Sequence, residues 1–189
     1  WRAKKQQTFT EVSDKTVALL GYGNIARELG LMCRAFSMRV IAYHPHIEQK
    51  ALPEGFVPCS DLFSAIRDAD FVSCHIPARP ENVHFLSDDA FAAMKPGAIF
   101  VNTGRGSVAD TDALVRALES GHLAGAGLDV FEEEPLPADS PLLSLENVIC
   151  TPHVGGETIE AKRRVYEIAA KNVARVLAGE APISPVFAK

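Results

Sequence analysis

Short apolar runs recur along this chain and alternate with longer segments in which apolar positions return every three or four residues. The runs are Thr16–Leu20, Arg39–Tyr43, Phe71–His75, Ala98–Asn102, Ala126–Val130 and Asn147–Cys150. Most are apolar throughout rather than alternating, the pattern of strands covered on both faces, and Gly, Pro or Asp flanks most of them. The segments Asn24–Ser37, Ser60–Asp68, Ser87–Met94, Asp110–Ser120 and Glu157–Leu177 predict helices. Ser60 and Ser87 stand where N-caps belong, and Gly121 and Gly179 where C-caps belong. Strand–helix alternation of this kind predicts an α/β fold: a doubly wound parallel sheet with right-handed crossovers and helices on both faces, in three α/β/α layers. Residues 16–179 carry the pattern. Residues 1–15 are polar, basic and then acidic, and predict a lead-in segment. Residues 180–189, with Pro182 and Pro185, predict a linker or frayed end.

A chain of 189 residues suits one domain of this kind and is long enough to bury a core without staples. The formal net charge is −5 and no stretch gathers Lys and Arg, which argues against a nucleic-acid partner. An anionic substrate would therefore need positive charge from particular residues. Cys33, Cys59, Cys74 and Cys150 form no CxxC pair and no metal-ligand spacing with His, so buried free thiols in a reducing cytoplasm are expected and no metal site is. The apolar runs are too short to span a bilayer, and no secretory leader pattern is visible. A cytoplasmic protein with no membrane partner is the expectation.

Gly21-Tyr22-Gly23-Asn24-Ile25-Ala26 follows the first apolar run directly and opens a helix. A bare GxGxxA string says little; between a strand and a helix it is the dinucleotide-binding (Rossmann) fingerprint. Gly21 permits the tight turn, Gly23 lets the backbone approach a pyrophosphate, and Ala26 is small enough for helix–strand packing, while the helix N-terminus offers free N–H groups to phosphate. Two other readings stay open, a glycine-rich turn with no ligand and the loop of an S-adenosylmethionine-dependent methyltransferase. The fingerprint's usual acid, about 20 residues on, is absent: Tyr43-His44-Pro45-His46 stands there, and no acid lies between Glu28 and Glu48. Without a carboxylate to repel a 2′-phosphate, NADP is admitted beside NAD. His44 and His46 offer such a phosphate two imidazoles, though no Arg stands by to clamp it.

In open α/β sheets, ligands bind beyond the carboxyl ends of the strands. Arg105 follows Ala98–Asn102, Asp129 and the run Glu132–Glu134 follow Gly125–Leu128, and His153 follows Asn147–Cys150. A guanidinium, a carboxylate and an imidazole at one sheet edge suit hydride chemistry on an anionic 2-oxo acid: the Arg holds the carboxylate, the His exchanges the proton, and the acid keeps the His protonated. Each also has a plain reading, as an exposed turn residue, a solvated acidic run, a structural histidine or a cap. His84 and His122 read as structural. His75, ending a strand, is open.

The strings GYGNIA, HIPARPENVHFL, MKPGAIFVNTGRGSVAD, ALESGHLAGAGLDVFEEEPLP and TPHVGG, in this order, resemble the D-isomer-specific 2-hydroxyacid dehydrogenase family, from Trp1 to about Gly179. The resemblance implies an NAD(P)-dependent oxidoreductase acting on a D-2-hydroxy acid/2-oxo acid pair. It implies Arg105 as the substrate-binding catalytic arginine, His153 as general acid/base, and Glu134 as the carboxylate that pairs with it. It further implies cofactor contacts from Gly21, Tyr22, Gly23, Asn24, Ile25, His44, His75, Pro77, Thr103, Gly104, Arg105, Asp129 (the nicotinamide carboxamide), His153, Gly155 and Gly156. A separate substrate domain, mostly ahead of Trp1, and a homodimer are implied too, so this chain alone is expected to be inactive as a fragment. A non-catalytic NAD(H)-sensing relative of the corepressor type is the alternative.

Overall fold

The sheet consists of β1 (Thr16–Leu20), β2 (Arg39–Tyr43), β3 (Phe56–Cys59), β4 (Phe71–Cys74), β5 (Ala98–Asn102), β6 (Leu123–Leu128) and β7 (Val148–Cys150), seven strands in the order β3-β2-β1-β4-β5-β6-β7. All six pairings are parallel. The helices are α1 (Asn24–Ala35), α2 (Leu62–Ile66), α3 (Asp88–Ala93), α4 (Thr111–Glu119) and α5 (Ile159–Leu177). The computed structural model describes residues 10–185; residues 1–9 of the expected lead-in and 186–189 of the expected linker lie outside them. The chain divides into two units, Trp1–Pro152 and His153–Lys189, and each is taken by itself.

Why the strands read as apolar throughout is visible in β1. Val17 and Leu19 enter one core, with Ala26 of α1, Val40, Ala42 and Phe56. Ala18 and Leu20 enter the other, beneath α2, α3 and α4, with Ile66, Phe91, Phe100 and Leu114. With α1 on one face and α2–α4 on the other, the first unit has the expected three layers. The order runs outward from β1 to β3 on one side and from β4 to β7 on the other, so it reverses between β1 and β4. A crevice opens there beyond the strand ends.

Sequence and structure differ in several places. β3 was not expected, because it is four residues long and carries Pro58; it is an edge strand, where a missing N–H is tolerated. β6 begins at Leu123 rather than Ala126, since Gly125 and Gly127 mask a strand in which a Cβ at Gly125 would lie 2.7 Å from the Asn147 carbonyl oxygen. Asp61, not Ser60, caps α2 by accepting the Ser64 N–H at 2.7 Å, and Ser87 stands at the N-cap of α3 without a side-chain capping bond. Gly121 and Gly179 do end α4 and α5 in the left-handed region, at φ +72° and +77°. In α5 the Gly179 and Glu180 N–H groups donate to Val176 and Arg175 carbonyls at 3.0 and 2.8 Å, closing the helix end. None of its residues is buried. Among the described residues no helix is long and apolar enough to cross a membrane.

Phe100 is fully buried in β5 and meets the Phe91 ring edge-on at 5.3 Å. Phe100→Ala is expected to lower unfolding stability by about 3–5 kcal/mol in urea titrations, with an unchanged slope.

Candidate functional site

The ends of β1, β4 and β5 surround a cleft of about 530 Å³ at the point where the strand order reverses. Gly21 makes the first wall possible. Its φ is +86°, and a Cβ there would lie 2.8 Å from Ile76 N and 2.9 Å from the His75 carbonyl, so only glycine lets this turn close against β4. The Gly21 and Tyr22 N–H groups both donate to the Tyr43 carbonyl, at 3.1 and 3.0 Å, and His75 N–H donates to Leu20 at 2.7 Å. Gly23 caps α1 with no side chain to satisfy the first-turn N–H groups. A Cβ on Gly23 would meet nothing nearer than the Gly21 oxygen at 4.0 Å, so this face of the turn is open. Gly21, Gly23, Asn24, Ile25 and Ala26 line the cleft. Tyr22 is not among the lining residues: its ring is buried against Phe56 at 6.1 Å, and its backbone belongs to the turn.

The second wall is His75, Ile76, Pro77 and Ala78, and the third is Thr103, Gly104 and Arg105. The His75 ring shares a 3.0 Å hydrogen bond with the Ser73 hydroxyl, and burial pushes its pKa down to about 4, so it is uncharged at neutral pH. The Asn82 amide donates to the Pro77 carbonyl at 2.9 Å and ties the second wall down. The third wall hangs on Asn102, which is 1% exposed. Its side-chain oxygen accepts the Gly104 N–H at 3.0 Å and its amide donates to the Arg105 carbonyl at 3.1 Å, so one buried side chain folds the arginine turn. The Arg105 side chain is exposed and donates to the Gly104 carbonyl at 2.7 Å. Asn102 was read from the sequence only as the end of a strand; an Asn immediately before a Gly-containing turn is the signal that finds it. Ile76 and Ala78 carry no such signal.

The other expected site residues of the first unit lie outside the cleft lining. Asp129 is buried just past β6, and its carboxylate accepts the Thr151 hydroxyl at 2.5 Å. Glu134, in the loop that follows, accepts the Phe131 N–H at 3.0 Å. This loop touches the arginine segment directly, since a Cβ on Gly106 would lie 1.9 Å from the Phe131 carbonyl carbon. His44 follows β2, one strand beyond β1, and its Nδ1 accepts the His46 N–H at 3.0 Å. That bond places the proton of the neutral ring on Nε2. His153 begins the second unit with its backbone in the left-handed region at φ +54°, and Gly155 and Gly156 come next in that unit. The structure thus joins the glycine turn, His75, Pro77, Thr103, Gly104 and Arg105 in one cleft, with Asp129 and Glu134 in the adjoining segment.

Residues 1–155 match the family model described as D-isomer specific 2-hydroxyacid dehydrogenase, NAD binding domain. The chain is 40% identical over 178 residues to a glyoxylate reductase of Thermofilum pendens, covering 93% of this chain and 52% of that protein. Among solved structures it resembles D-lactate dehydrogenase with NAD+ from Lactobacillus jensenii (TM-score 0.85, 30% identity, 95% of this chain and 57% of that one). It also resembles the NADPH-dependent glyoxylate/hydroxypyruvate reductase of Sinorhizobium meliloti in complex with NADP and sulfate (TM-score 0.86, 27% identity, 97% and 60%). The chain spans about half the length of the curated relatives it matches. By the extent of the family match and by its fold, the chain belongs to the D-isomer specific 2-hydroxyacid dehydrogenases, to which it contributes the NAD-binding domain.

Proposed function

We propose that the cleft between β1 and β4 holds NAD or NADP, and that the whole protein is an oxidoreductase moving a hydride between that cofactor and a D-2-hydroxy acid/2-oxo acid pair. The observation that carries this reading is the meeting of the open glycine turn and Arg105 in a single cleft of about 530 Å³, within the usual range for ligand sites. The residues fit a dinucleotide: the first turn of α1, which no side chain caps, lines the cleft where a pyrophosphate would lie, and Gly23 leaves the room a side chain would fill. The bound nicotinamide supplies or accepts the hydride. Pro77, Thr103 and Gly104, with neutral His75 beside them, would hold the nicotinamide, and Asp129 would accept from its carboxamide. The Arg105 guanidinium binds the substrate carboxylate and polarises the carbonyl. In this reading His153 exchanges the proton at the 2-oxygen and Glu134 is the acid of the catalytic set.

With His44 in place of an acid, no carboxylate repels a 2′-phosphate. Both cofactors are therefore accepted in this reading. Small 2-oxo acids such as glyoxylate and hydroxypyruvate are the proposed substrates, in keeping with the names of the relatives. A homodimer and a cytoplasmic setting complete the proposal; the four free cysteines support a reducing compartment.

Steady-state assays of the full-length protein on glyoxylate, hydroxypyruvate and pyruvate, with NADH and NADPH in parallel, test the reading. Turnover is expected; cofactor binding with no turnover of any 2-oxo acid would favour the sensor alternative. In that protein His153→Asn is expected to lower kcat by about 10²–10⁴-fold with NADH binding largely kept. Near wild-type kcat would remove His153 from the proton transfer. Gly23→Val, whose side chain would enter open space, is expected to leave the melting temperature within about 2 °C and weaken NADH binding more than tenfold by fluorescence titration. Tight binding by this variant would place the cofactor elsewhere.

A further inference from the structure

A second cluster of charged side chains lies behind the arginine segment, and neither hydride transfer nor cofactor binding uses it. The His84 ring meets the Glu132 carboxylate through Nε2 at 2.6 Å, and its Nδ1 lies 3.6 Å from Asp110. The other Glu132 oxygen accepts the N–H of Thr111, the first residue of α4, at 2.8 Å. Asp110 caps the same helix by accepting the Ala113 N–H at 2.9 Å. The backbone is tied at the same place: His84 N–H donates to Ser107 at 2.9 Å, Leu86 N–H to Val108 at 2.9 Å, and Asp110 N–H to Leu86 at 3.0 Å.

Three segments therefore converge on one imidazole: the loop that runs on from the second wall of the cleft, the segment carrying Arg105, and the loop carrying Glu134. His84 occupies this junction at φ +51°, a region that non-glycine residues avoid, so the surrounding bonds hold it there. We propose that His84, in its protonated form, is a positioning residue that locks the Arg105 segment to the Glu134 loop, and so sets the grip on the substrate carboxylate. This inference rests on the dehydrogenase reading above.

The groups facing His84 are Glu132 from the loop after β6, with Asp110 and Asp112 from the start of α4. The hydrogen bond to Glu132 raises the His84 pKa above its ordinary 6.5, against a smaller opposing effect of burial, and the three carboxylates add to the rise. Burial pushes Glu132 up, but its bonds to Thr111 and His84 outweigh that and hold it below its ordinary 4.5. A raised histidine pKa stabilises the folded arrangement fully below 6.5 and loses that contribution as pH rises through the raised value. The lowered Glu132 pKa contributes above 4.5 and is lost only in more acid solution. The lock is therefore complete between about pH 4.5 and 6.5 and loosens on the alkaline side.

In the full-length protein, KM for glyoxylate is compared between His84→Asn, His84→Lys and wild type from pH 6 to 9. Ratios to wild type cancel every pH dependence that all three proteins share. The Asn variant is expected to raise KM about fivefold at pH 6, near the upper limit for a partly exposed ion pair. That ratio should fall toward 1 by pH 9, with kcat and NADH affinity little changed. The Lys variant, which keeps its charge to higher pH, should match wild type at pH 6 and show the lower KM at pH 9. Amide exchange at Ser107, Val108 and Thr111, measured without substrate, should be about fivefold faster in the Asn variant at pH 6. A KM ratio that stays constant across pH, or unchanged exchange at these amides, overturns the proposal. Faster exchange in a protein that turns over no 2-oxo acid keeps the lock and removes the dehydrogenase reading instead.

Discussion

The contact between the turn after β1 and the end of β4 is the constraint on which the rest of the site depends. Gly21 brings its backbone against His75 and Ile76 so closely that a Cβ would sit 2.8 Å from a backbone nitrogen. Two amides of the turn hold the Tyr43 carbonyl, which fastens the other side to β2. Between those anchors, Gly23 is left facing open space at the start of a helix whose first N–H groups have no side-chain cap. Because the sheet order reverses at this pair of strands, the opening lies in a crevice that neither neighbouring crossover fills. Close packing below and open backbone above come from the same two glycines.

The arginine segment is held by a different balance of forces. Its surface ion pairs are each worth at most about 1 kcal/mol. The Asn102 amide is 1% exposed, and leaving its hydrogen bonds unmade costs about 1–3 kcal/mol for each buried group. Asn102 therefore fixes the path of residues 102–105, and Gly106 fixes where that path meets the Glu134 loop, because no side chain fits between the two backbones. The cluster around His84 adds a smaller, charge-dependent contribution. That is the size of effect suited to adjusting an arrangement built by stronger contacts.

Much of this was legible in the sequence, for definite reasons. β1, β2 and β5 are five-residue runs covered on both faces, and their bounds follow from the apolar pattern alone. The glycine turn and Arg105 were legible because each sits at a strand end, where this kind of sheet places its ligands. β3 was not legible, since Pro58 on an edge strand removes the usual signal. The fingerprint defines the path of the backbone and says nothing of the Tyr22 ring, which lies between its glycines and is buried against Phe56. Asn102 and His84 act through hydrogen bonds to segments distant in the fold, and periodicity carries no information about such bonds. His84 read as structural, and its link to Glu132, 48 residues away, appears only once the loops are folded together.

Titration of isotopically labelled protein with NADH, followed by amide chemical shifts, tests most directly whether the cleft at the strand-order reversal is the cofactor site. Binding there should move Gly23, Asn24, Ile25, His75, Thr103 and Gly104 together and saturably, leaving α3 and the outer face of α4 unmoved. Saturable shifts confined to another surface, or no shifts at millimolar NADH, would contradict it.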